Sequence, residues 1–170
     1  MLPLRSVGTR PGPAAAPPTT LILPPAIRRA MVDQAMASRP MESVGILATV
    51  RAGATVRAVA WFPGTNVDAS PVRYTMDPAD ARSALGRIAA SGWEPGGIVH
   101  SHPEHAAVPS RTDRREHRYP DALMVIISLA GQRPDVRAWC WLPGDSFAGG
   151  RMAEVAIRVR ALPTSCKETW

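Results

Sequence analysis

Apolar residues run along this chain in two rhythms. Leu21-Ile22-Leu23 is a short unbroken run and predicts a strand, and Pro24-Pro25 directly after it open a helix where missing N–H groups cost nothing. Ile27, Met31 and Ala35 then recur at four-residue steps, with Arg28, Asp33 and Gln34 on other faces, so the spacing predicts an amphipathic helix to about Ser38. Pro40 stops it. Glu42 stands directly ahead of an apolar run from Ser43 to Val50, and Thr55 to Phe62 is a second strand; the turn at Ala52-Gly53-Ala54 between them predicts a hairpin. Gly64 to Tyr74 is polar, contains a proline, and is long enough to contact something.

The helical rhythm returns at Asp77-Pro78. Asp77 can cap, Pro78 fits the first turn, Asp80 places negative charge near the N-terminus, and Ala81, Ala84, Leu85, Ile88 and Ala89 form the buried stripe. Gly92 ends this helix. An apolar run then closes on two histidines, and further strands are expected over Asp121 to Ala130, Val136 to Leu142 and Met152 to Ala161, with a turn at Gly131 to Pro134. No internal repeat is apparent. The order of elements predicts a mixed sheet with helices against it, an α+β fold or a three-layer α/β sandwich.

Composition narrows the class. A chain of 170 residues, 45% hydrophobic and 20% charged, suits one soluble domain, and no apolar stretch is long enough to span a bilayer. The net charge of +6 raises nucleic acid or an acidic protein surface as partners. The charge is scattered arginine, with Lys167 the only lysine and no basic block, so no nucleic-acid partner and no membrane are expected. Cys140 and Cys166 form neither a disulfide framework nor a CxxC knuckle, and Cys140 reads as a buried small hydrophobe. With no secretory signal, the cytoplasm is the expected location. Residues 1–19, rich in Pro and Ala with no acid, are expected to be a disordered tail, 20–162 the folded domain and 163–170 a C-terminal tail.

The chemistry concentrates between Gly96 and Asp113, GGIVHSHPEHAAVPSRTD. His100 and His102 lie two apart in an extended run, so both point to one face and Ser101 to the other. After a short gap Ser110 can cap a helix that carries Asp113 in its first turn, bringing a carboxylate back toward the histidines. Two histidines and one carboxylate leave one position of a tetrahedral Zn²⁺ for water, as in a catalytic site. Glu42 is the candidate acid/base, and Ser110 a candidate donor to a developing oxyanion. Blander readings stand beside these: a solvated acid at a strand end, an incidental His-x-His, and a helix N-terminus with a favourable acid. Glu104 and His105 are competing ligands nearby, though a loop position favours solvent or substrate contact. Arg111, Arg114 and Arg115 read as a solvated helix face.

These residues resemble the pattern of the JAMM, or MPN+, zinc metallopeptidases: Glu42, then His100-Ser101-His102-Pro103, Ser110 and Asp113. The resemblance implies a cytidine-deaminase-like α/β sandwich around a curved mixed sheet flanked by helices. It also implies hydrolysis of amide or isopeptide bonds at the C-terminus of ubiquitin-like proteins. In it His100, His102 and Asp113 are zinc ligands, Glu42 the acid/base and Ser110 the oxyanion donor. Asn66, Ser70-Pro71, Tyr74 and Pro109 to Asp113 look like the prokaryotic branch that processes ubiquitin-like sulfur-carrier proteins, releasing cysteine or a C-terminal extension. Ser43-Val44 departs from relatives that carry cysteine before the glycine, a packing change that leaves the base in place. Alternatives within the resemblance are a catalytically silent MPN-type scaffold and a DNA-repair relative; the latter usually has Asn where Ser101 stands. Both Gly64 to Tyr74 and Glu104 to Val108 are expected to border the substrate cleft.

Overall fold

Strand β1 (Thr20–Leu23) and helix α1 (Pro25–Ser38) form where the apolar pattern places them in this computed structural model, which describes residues 16–142 and 150–161. The expected tails therefore fall largely outside the described residues, as does Cys166. Strands β2 (Val44–Ala52) and β3 (Thr55–Gly64) pair antiparallel as the predicted hairpin. Gly53 sits at a φ of +58° in their turn, a left-handed conformation that glycine adopts without strain. Helix α2 (Pro78–Ala90) starts as its sequence signals, Asp77 accepting hydrogen bonds from the N–H groups of Ala79 and Asp80, and Gly92 follows its end at φ +67°.

The second half of the chain adds β4 (Glu94–His102), helix α3 (Arg111–Glu116), β5 (Leu123–Ser128), β6 (Asp135–Trp141) and β7 (Met152–Val159). β5 is shorter than the apolar run from Asp121 to Ala130 suggests, because a buried apolar residue need not lie on the ladder. Strand β4 pairs antiparallel with β2 and parallel with β5, so the fold is α+β with a mixed sheet.

That sheet closes into a barrel, which matches the expected curved mixed sheet only loosely. The strand order is β1-β3-β2-β4-β5-β6-β7, and β1 joins the ends by pairing parallel with both β3 and β7. Leu21 registers with Val56 on one side and Ile157 on the other. Four residues thus remove two free edges whose N–H and C=O groups would otherwise be unpaired. Periodicity identifies β1 as a strand but carries no information about its partners.

All seven strands supply one core, including Leu21, Leu47, Val99, Val125 and Val155, and α1 adds Met31 and Ala35 to it. The opposite face is covered in patches: α2 packs Ala84 and Ile88 onto Ile46, Ala48 and Phe62. Gly45 lets β3 approach β2 closely, since a Cβ there would collide with the Trp61 ring and the Phe62 carbonyl. Among the described residues no helix is long and apolar enough to cross a membrane.

Candidate metal centre

Strand alternation sorts β4 into two functions. Val99 points into the seven-strand core, while Ile98, one step earlier, packs on the opposite face with the α2 patch. His100 and His102 share the parity of Ile98 and lie on that second face. Val44 pairs with His100, and continuing the antiparallel register by two residues sets Glu42 opposite His102. Ser101 secures this junction from the other face: its N–H donates to Ser43 O at 3.1 Å, and its Oγ accepts from Ser43 N–H at 2.8 Å.

Asp113 arrives from α3. Ser110 Oγ accepts from Asp113 N–H at 3.0 Å, and Ser110 N–H donates to Asp113 Oδ2 at 2.7 Å, a complete capping box. This local motif aims the carboxylate at the histidines. His100 Nε2 and His102 Nε2 are 3.2 Å apart, and they lie 3.3 Å from Asp113 Oδ1 and Oδ2 respectively.

These separations test the fit to zinc directly. Nitrogen or oxygen ligands about 2.0–2.1 Å from zinc at tetrahedral corners lie about 3.3 Å from one another. The three side chains are buried and their ligand atoms fall within 4.8 Å of one another. Two imidazoles and a carboxylate are donors that suit zinc, and the 3.2 Å between the two Nε2 atoms matches neighbouring corners of its tetrahedron.

Neighbours set the orientation of both imidazoles. The Ala106 carbonyl lies 2.7 Å from His102 Nδ1 and can accept that ring's proton; with a metal bound, this tautomer would turn the Nε2 lone pair toward the centre. Tyr74 stacks on His100 with ring centroids 4.5 Å apart and planes at 24°. His100 Nδ1 is buried and has no hydrogen-bond partner.

The electrostatics of the trio follow from burial and mutual contact. Burial lowers the pKa of His100. Burial also works against the charged form of His102, but hydrogen bonds to Asp113 and Ala106 outweigh it and the pKa is raised. Asp113 is buried too, yet hydrogen bonds from both imidazoles and Ser110 hold its carboxyl well below the usual carboxylate range.

Glu42 behaves oppositely. Its side chain is buried, Oε2 has no partner, and desolvation pushes its pKa up to about 7; His102 opposes the rise and Asp113 adds to it. A carboxyl with a pKa near neutrality can both take and return a proton. The structure thus brings Glu42, His100, His102, Ser110 and Asp113 to one place. Glu104 and His105 are exposed and stand outside the cluster.

A cavity of about 930 Å³ opens beside Asp113, with Val44, Ile46, Leu85 and Ile98 among its lining and Arg73, Glu116 and Arg118 adding charge. Of the two loops expected at the cleft, Gly64 to Tyr74 contributes Arg73 and Tyr74, whereas no residue from Glu104 to Val108 lines it. The second loop instead holds His102 through Ala106. Sequence reasoning missed that carbonyl and the roles of Ser101 and Tyr74. The position of Ser101 between the histidines and the resemblance at Tyr74 were the signals available.

A sequence profile of the prokaryotic homologs of the JAB domain matches residues 24–142. The chain is similar to the desampylase of Haloferax volcanii, 38% identical over 109 residues that cover 64% of this chain and 74% of that protein. It is also similar to the CysO-cysteine peptidase of Mycobacterium tuberculosis, 33% identical over 99 residues covering 58% of this chain and 66% of that protein. The solution structure of protein DSY2949 from Desulfitobacterium hafniense superposes with a TM-score of 0.73 at 28% identity, covering 86% of this chain and 96% of the other.

Proposed function

This chain belongs to the family of prokaryotic JAB-domain homologs, and from that premise we propose that it is a zinc-dependent metallopeptidase. Its substrate is a ubiquitin-like sulfur-carrier protein, hydrolysed at the amide after the C-terminal glycine with release of cysteine or a C-terminal extension. Hydrolysis of peptide or isopeptide bonds follows from the family and from the relatives named desampylase and CysO-cysteine peptidase. The carrier as substrate draws on those names and on the resemblance of Asn66, Ser70-Pro71, Tyr74 and Pro109 to Asp113 to the carrier-processing branch.

The observation that carries the mechanism is the buried trio His100, His102 and Asp113, with one ligand atom of each within 4.8 Å of the others, beside a buried Glu42 whose Oε2 has no partner. His100, His102 and Asp113 would hold the zinc. Bound there, zinc supplies a Lewis acid and lowers the pKa of water to about 7. Glu42 takes a proton from the attacking water and delivers it to the leaving nitrogen as the C–N bond breaks, so one group serves as base and then acid. Ser110 Oγ accepts from Asp113 N–H, and its side chain also hydrogen-bonds the Asp113 carboxylate. In the reaction its O–H turns from Asp113 to the carbonyl oxygen and donates there as negative charge develops.

Purified protein incubated with a carrier–cysteine conjugate, followed by mass spectrometry of the carrier, tests this reading. Cleavage by the wild type and loss of it in Glu42→Gln are expected. Equal rates in the two would end the assigned mechanism.

A further inference from the structure

Glu42 precedes β2, and the loop between β3 and α2 holds its peptide groups. Its N–H donates to Ser70 O at 2.9 Å, and its carbonyl accepts from Asn66 Nδ2 at 3.0 Å. With Oε2 unpartnered, the placement of the carboxyl depends on how firmly that backbone is held.

Asn66 is the knot of the loop. Its Nδ2 donates to Glu42 O and to Arg73 O, both at 3.0 Å, and its Oδ1 accepts from Asp68 N–H at 3.1 Å and Thr75 N–H at 3.0 Å. A side-chain amide has two donors and two acceptor lone pairs, so its capacity is filled. The partners also settle its orientation: a flipped amide would put NH₂ against two N–H groups and oxygen against two carbonyls. Around it, Val67 N–H donates to Thr75 O at 2.9 Å and Asn66 bridges to Met76, pinching the two arms of the loop together. The far arm carries Arg73 and Tyr74, which line the cavity, and Tyr74 stacks on His100.

We propose that Asn66 is a positioning residue for the reaction: one side-chain amide sets Glu42, the Tyr74 cover of His100 and the cleft wall relative to one another. The proposal rests on the acid/base reading of Glu42. Its effect belongs in kcat, because a displaced base impairs proton transfer after substrate has bound. Displacements of about 1 Å at a reacting group can cost about 10²-fold.

The test compares wild type with Asn66→Ala, Asn66→Asp and Asn66→Ser, each loaded with zinc. Rates are expressed per bound zinc, and amide hydrogen exchange is followed at Glu42. Expected are unchanged zinc stoichiometry, little change in KM, a fall in kcat of about 10–10²-fold, and faster exchange of the Glu42 amide. Asn66→Asp sets a carboxylate against two carbonyls and should be at least as impaired as Asn66→Ala; Asn66→Ser serves if neither folds. A kcat per zinc equal to wild type overturns the proposal, whatever happens to KM or thermal stability. An inactive wild type would count against the proposed function instead. Exchange still decides the matter then, since unchanged protection at Glu42 overturns the link to Asn66.

Discussion

Asp113 and Glu42 are two buried carboxyl groups in one site, and their surroundings push them in opposite directions. Asp113 receives Ser110 N–H at 2.7 Å and faces two imidazoles at 3.3 Å, so its charged form is held far below the usual pKa range. Glu42 has an oxygen with no partner and a pKa pushed up to about 7 by burial. The difference assigns the work: a carboxylate that stays ionised suits a metal ligand, and one poised near neutrality suits proton transfer. It also separates two ways of building a site. The segment from β4 to α3 places His100, His102 and Asp113 by local rules of strand and cap, whereas Glu42 is held by a loop from elsewhere in the chain.

Exchanging the acids for their amides should break this contrast most sharply. Glu42→Gln is expected to lower kcat by about 10²–10⁴-fold with zinc content intact. Asp113→Asn should lose zinc and activity together, as metal analysis after dialysis would show; zinc retained in Asp113→Asn would contradict its role as ligand. Removing zinc from the wild type by chelation should come next in size. A metal at about 1,000 times its Kd contributes about 4 kcal/mol, or roughly 10 °C in Tm for a chain of this size. Glu42→Gln should show the same metal-dependent shift by calorimetry.

The pH dependence of stability sharpens the comparison in metal-free protein. Glu42 has a folded pKa of about 7 against an ordinary value of 4.5, so its contribution is fully present below that lower value and is lost as pH rises through 7. Asp113, with its folded pKa lowered, contributes stability that is present above the ordinary Asp value and lost as pH falls. Urea denaturation should therefore show Glu42→Gln gaining about 2 kcal/mol on wild type between pH 5 and pH 8. Parallel curves would mean that Glu42 is not desolvated. The smallest effect is expected at His105, exposed and outside the cluster. His105→Ala should keep its zinc and change stability by no more than about 0.5 kcal/mol in the same denaturation.

Much of this site was legible from residue order because the part from His100 to Asp113 is local. Two-residue alternation puts His100 and His102 on one face wherever the strand lies, and Ser110 to Asp113 writes its own capping box. The hairpin turn at Gly53 and the start of α2 at Asp77 are of the same kind. What only the tertiary structure decided are contacts between residues far apart in the chain. These are the closure of the sheet by β1, the position of Glu42 beside His102, the Ala106 carbonyl that orients His102, and the Asn66 knot that holds the Glu42 backbone. Strand pairing and backbone carbonyls leave no mark on hydrophobic periodicity, since any extended segment offers the same N–H and C=O groups. Choosing among those groups takes the packed core, where burial makes one set of partners better than every other.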